Sequence, residues 1–89
     1  MTIIREAMAG TLESNDVLVR VSPAPDLSID IDSIVLPQFG DQIRRAVLET
    51  LEALGVRQGA VSLQDKGAIE CTIQARVETA VKRAGEDKA

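Results

Sequence analysis

Few side chains in this 89-residue chain combine type and spacing in a way that could do chemistry. Ser14 lies in Ser14-Asn15-Asp16, between two apolar strand patterns, where a tight turn would hold its hydroxyl out in solvent. Turn chemistry alone accounts for a polar residue there. Asp30 and Asp32 share one side of an alternating segment and could be paired carboxylates or metal ligands. No further ligand cluster accompanies them, so the plain reading is a solvated strand face. Cys71 has no histidine or second cysteine near it in sequence and reads as a semi-buried structural thiol. Arg44-Arg45 reads as solvated helix surface that could also dock a partner. The chain has no histidine, which removes the usual general base, the usual zinc ligand and every histidine-dependent nucleophile. Catalysis contained within this chain is therefore not expected, and no metal site is.

The totals limit the rest. A chain of this length is expected to form one domain, residues 1–84, with too small a core for a deep enclosed pocket. Phe39 is the one aromatic residue, so the core must come from Val, Ile, Leu and Ala, and no stacking platform for single-stranded nucleic acid exists. A net charge of −4 argues against nucleic acid and anionic membranes and for docking on basic patches of larger proteins. With no long apolar run, no signal pattern and a single cysteine, a cytoplasmic location is expected.

The elements that must position these residues follow from periodicity. Residues 3–8 fit either a lead-in strand or a frayed segment, and Gly10 to Glu13 reads as a short strand. Val17, Val19 and Val21 alternate with Leu18 and Arg20, predicting a strand that pairs with it as a hairpin about Ser14-Asn15-Asp16. Asn15 suits such a turn because asparagine accepts positive φ. Two prolines in Ser22-Pro23-Ala24-Pro25-Asp26 force a break. In the next strand Leu27, Ile29 and Ile31 should face the core, with Ser28, Asp30 and Asp32 in water. Pro37 suits the first turn of a helix that runs to about Leu54, although Gly40 could delay its firm start to Asp41. Its apolar stripe is Phe39, Ile43, Val47, Leu51 and Leu54, and Gly55 is the expected stop. Ala60 to Gln64 is a fourth strand. Asp65-Lys66-Gly67 then turns into a helix from Ala68 to about Arg83, with Ile69, Ile73, Val77, Ala80 and Val81 inward. Residues 85–89 are expected to be a disordered polar tail. The order β-β-β-α-β-α predicts an α+β two-layer sandwich, a mostly antiparallel four-stranded sheet with both helices on one face. The unit of residues 27–64 should cross over right-handed and could pair in parallel.

The run Ala9-Gly10-Thr11-Leu12-Glu13-Ser14-Asn15-Asp16-Val17 resembles the N-terminal signature of the citrate lyase acyl carrier proteins, the gamma subunits of that complex. That pattern commonly has glycine where this chain has Asn15. Gln38-Phe39-Gly40-Asp41-Gln42-Ile43-Arg44, Asp65-Lys66-Gly67-Ala68-Ile69 and Ala75-Arg76 match in kind and place, so the resemblance spans nearly the whole chain. Asp32-Ser33-Ile34 also resembles the Asp-Ser-Leu motif of the four-helix acyl carrier proteins. There the serine opens a helix of an all-helical chain, whereas here the triplet closes a strand pattern, which makes it a decoy.

The first resemblance implies that Ser14 carries phosphoribosyl-dephospho-coenzyme A through a phosphodiester, ending in a pantetheine thiol that holds acetyl and then citryl. It implies an alpha subunit that exchanges acetyl for citryl, a beta subunit that cleaves citryl to oxaloacetate, and a dedicated transferase that attaches the group. Protein made without that transferase would be the apo form. The carrier itself would be non-catalytic. Glu13 and Asp16 fit as turn residues. Two alternatives stand beside this. One is the carrier of malonate decarboxylase, which uses the same kind of group; the other is a cofactor-free assembly or regulatory module in which Ser14 is only a turn residue.

Overall fold

The alternation at residues 17–21 becomes a strand because its odd-numbered valines find an apolar layer to bury against. Val17, Val19 and Val21 are all buried, and Arg20 between them is exposed. The computed structural model describes residues 1–34 and 36–86, with the side chains of residues 36–38 and 86 outside the description. In chain order the elements are β1 (Thr2–Ile3), β2 (Ala7–Gly10), β3 (Val17–Ser22), β4 (Leu27–Ser33), α1 (Leu36–Ala53), β5 (Gly59–Asp65), α2 (Glu70–Ala84) and β6 (Gly85–Glu86). The main sheet has the order β2-β3-β5-β4. β3 pairs antiparallel with β2 and β5, while β4 and β5 run parallel, with Val19 and Ile31 flanking Leu63 from either side. The fold is thus the expected α+β arrangement of four strands and two helices. The sheet is mixed rather than mostly antiparallel, because α1 returns the chain to the same end of the sheet before β5 begins.

Both helices supply one buried stripe to the same core. α1 contributes Ile43, Ala46, Val47 and Leu51; α2 contributes Ile73, Val77, Ala80, Val81 and Ala84. All of these but Ala46 meet Ala9, Ile31, Val61 and Leu63 from the sheet in one cluster. Truncating a fully buried leucine such as Leu63 to alanine should cost about 2–5 kcal/mol. α1 includes Pro37 in its first turn, as expected, and starts well before Asp41. Its end is a Schellman closure, in which the Val56 amide donates to the Leu51 carbonyl at 2.9 Å and the Gly55 amide to Glu52 at 3.0 Å.

Four expectations need correction. Gly10–Glu13 is not a strand: the ladder stops at Gly10, and Thr11 to Asp16 form a loop whose polar side chains bond locally instead. Leu27 is exposed and Ile29 only half-buried, because β4 is an edge strand and only Ile31, near its end, is fully covered. Phe39 and Ile69, the first members of the two helical stripes, lie outside the core at 44% and 67% exposure. Gly85 and Glu86, expected in a disordered tail, form β6, which pairs with β1. That pairing depends on glycine: a Cβ at position 85 would lie 2.8 Å from Met1 Cγ and 2.9 Å from the Thr2 carbonyl oxygen. Residues 87–89 of the expected tail lie outside the described residues.

Candidate functional site

The loop that carries Ser14 is held at both ends and from the side. At its start, Gly10 has φ +97°, and a Cβ there would sit 1.8 Å from the Val17 carbonyl oxygen, so no other residue fits without moving the chain. At its end, Asp16 organises the turn. Its carboxylate accepts from the Thr11 hydroxyl at 2.6 Å and from the Val17 amide at 2.8 Å. Arg76, 60 residues away in sequence on α2, donates Nε to Oδ1 and Nη2 to Oδ2, both at 3.1 Å. The fork matches the carboxylate in the two-point geometry that makes arginine pairs strong. The Thr11 hydroxyl bond first, then the Val17 amide and Arg76, hold the Asp16 carboxyl at about 2 against its ordinary 3.8.

A second loop supports the first. The Asn15 amide donates to the Lys66 carbonyl at 2.8 Å, and the Lys66 amide returns a bond to the Asp16 carbonyl at 2.9 Å. Asn15 takes φ +65°, the left-handed geometry expected of it. Lys66 is in turn placed by Asp65, which is buried and would be costly there unless satisfied. It accepts from the Ser33 hydroxyl at 2.7 Å and from the Ala68 amide at 2.9 Å. This network leaves Ser14 alone. Its side chain is exposed, and its hydroxyl has no hydrogen-bond partner among the described residues. Chemically the site offers a free primary hydroxyl at a fixed address.

The other candidates scatter. Asp30 and Asp32 lie on β4, separated from β3 by β5, and both are exposed. Among the described residues no three histidine, cysteine or acidic side chains gather as a metal site. Ser33, the serine of the decoy triplet, closes β4 and is engaged with Asp65. Cys71 is exposed rather than semi-buried, since it falls beside the α2 stripe where neither α1 nor the sheet reaches it. Arg44 donates to the Ile29 carbonyl at 3.4 Å, and Arg45 is exposed. Sequence reasoning missed the Arg76 clamp and the buried Asp65. Sixty residues separate Arg76 from Asp16, and no local pattern marks a bond over that distance. Asp65-Lys66-Gly67 did carry a signal, since an aspartate three residues before an amide at a helix entrance is a common local acceptor.

The chain belongs to the acyl carrier family described as malonate decarboxylase delta subunit, whose pattern matches residues 4–84. Curated relatives of the chain include citrate lyase acyl carrier proteins. That of Enterobacter sp. (strain 638) is 55% identical over 89 residues, covering 99% of this chain and 92% of the relative. That of Treponema denticola is 51% identical over 86 residues, covering 97% and 99%. A chain of a Pseudomonas malonate decarboxylase hetero-tetramer, solved in complex with malonate, superposes with a TM-score of 0.81 over 91% of this chain and 84% of its own. At 19% identity that likeness speaks for the fold alone.

Proposed function

We propose that this chain is the acyl carrier subunit of a citrate lyase, and that Ser14 is where phosphoribosyl-dephospho-coenzyme A is attached as a phosphodiester. The observation that carries the reading is the free, exposed hydroxyl of Ser14 on a loop that is fixed by the Thr11–Asp16 bond and by Arg76 on Asp16. The site fits such a group, because attachment breaks no bond of the network. The Ser14 oxygen would exchange its O–H bond for an O–P bond as a P–O bond of an activated phosphoanhydride donor breaks and its phosphate leaving group departs with the proton. The loop is open to solvent, so a transferase can bring a nucleotide-sized donor to it. When bound, the group would supply a thiol on which acetyl and citryl are carried. The chain's own part is to fix the arm's anchor point, so that the arm meets the alpha and beta subunits at high effective concentration. Close identity to citrate lyase carriers over nearly the full length supports citrate. A carrier for malonate decarboxylase is the second reading, favoured by the family description. No described helix is long and apolar enough to cross a membrane, and the acidic surface suits basic patches on partner proteins.

Co-expression with the matching transferase should add a cofactor-sized mass to the wild type and none to Ser14→Ala. An adduct on both would remove Ser14 from the reading. Capture of the tagged chain from its native host should bring citrate lyase alpha and beta subunits; recovery of malonate enzymes instead would move it to the second reading.

A further inference from the structure

A groove of about 330 Å³ opens between the N-terminal ends of α1 and α2, lined by Phe39, Gln42, Ile43, Ile69, Glu70 and Ile73 among others. Its volume lies in the range of small-molecule sites. Two of its walls are anomalous. Phe39, the sole aromatic of the chain, and Ile69 continue the apolar stripes of the two helices one turn beyond the core and stand in solvent. Ile69 is odd for a second reason. It occupies the N-cap of α2, with no side-chain cap bond, where serine, threonine or aspartate would satisfy a free amide. An exposed isoleucine there forgoes both solvation and capping. Local rules are broken in this way chiefly where a site needs the side chain.

The groove adjoins the Ser14 loop. Gly67 lines it, and the Cβ position of Gly67 is 3.6 Å from the Asn15 side-chain oxygen, one residue from Ser14. It also lies at the end of the molecule where the parallel strands β4 and β5 finish, the side on which ligands of parallel sheets collect. A further apolar groove, about 590 Å³ at Leu27, Leu48 and Val56, is at the start of β4. It lies about 20 Å away along the strand at roughly 3.3 Å per residue.

We infer that the groove between α1 and α2 is the seat of the thiol-bearing arm anchored on Ser14, occupied while the carrier is between partner subunits. This rests on the reading of Ser14 given above. The alkyl segments of a pantetheine chain fit the Phe39, Ile43, Ile69 and Ile73 walls, and its amides can meet Gln42 and Glu70 at the rim. Tethering makes weak apolar contacts sufficient, because the arm cannot diffuse away.

The test uses Cys71→Ser as background, since the exposed Cys71 would otherwise react with a thiol reagent. Intact mass first establishes loading; absence of an adduct defeats the Ser14 reading itself. With loading shown, amide resonances of Phe39, Gln42, Ala46 and Ile73 should shift between apo and loaded protein. Alkylation of the arm thiol should run roughly fivefold faster in Ile69→Ser, the effect of losing about 1 kcal/mol of apolar contact. The apo form of that variant should melt no lower than its parent, which keeps misfolding from mimicking the result. Phe39→Ser provides a second, independent wall. Loaded protein with unshifted groove resonances and unchanged thiol reactivity in both variants would overturn the seat. So would groove shifts that occur only when lyase subunits are added, which would make the groove a protein-docking surface.

Discussion

Ser14 is defined by what its neighbours do, and substitutions should separate its role from theirs. Ser14→Ala removes a hydroxyl without partners, so urea unfolding should change by less than about 0.5 kcal/mol while the capacity for loading is lost. Gly10→Ala forces a Cβ onto the Val17 carbonyl at positive φ and should cost about 3 kcal/mol or more, read in the same assay. Asp16 makes a pH-dependent contribution. Its folded value of about 2 lies below the ordinary 3.8, so its stabilisation is fully present above that range and is lost as pH falls toward 2. At neutral pH this amounts to at most about 2 kcal/mol, less what solvent screening removes at the partly exposed Arg76. The stability gap between wild type and Asp16→Asn should hold steady from pH 7 to about pH 5 and shrink by pH 2. A gap that grows on acidification would contradict the assignment.

At the scale of elements, three pieces distant in sequence hold one loop: the β2–β3 connection, the β5–α2 turn and the middle of α2. Arg76→Met should leave the chain folded but loosen the loop, with faster hydrogen exchange at the Asn15 and Lys66 amides and a loss of about 1–3 kcal/mol. Ile69→Ser should act in the opposite direction on stability, adding about 0.5–1 kcal/mol by capping α2, measured by thermal melting of the apo protein. Strand and helix identities were legible because the valine alternation in β3 and the four-and-three spacing of α1 each report one buried face. The extent of burial was not. Periodicity says that Phe39 and Ile69 share a face with the core residues; it cannot say that the sheet ends before it reaches them. The Gly10–Glu13 strand failed for a related reason, since threonine and glutamate fit a ladder in isolation and only the Asp16 carboxylate draws Thr11 into a loop.

For the whole molecule, a mixed four-stranded sheet and two helices bury one aliphatic core and leave the Ser14 loop at one end. Loop, helix entrances and apolar groove meet where β4 and β5 finish. That convergence could not be read from the sequence, because it depends on the parallel return of the chain through α1. The exposure of Ser14 could be read, because a polar run between two apolar strand patterns is a local signal for a turn in solvent. Most of the scaffold then serves position: Asp65 sets Lys66, Lys66 and Arg76 set the loop, and the loop sets one hydroxyl. The central claim is that this hydroxyl is the anchor of a carried group. The measurement that tests it most directly is peptide-level mass spectrometry of the chain isolated from its native host. A cofactor-sized phosphodiester adduct on Ser14 is the predicted result. An unmodified Ser14 in the protein recovered with its partner subunits, or the adduct on Ser33 or another residue, would contradict the account.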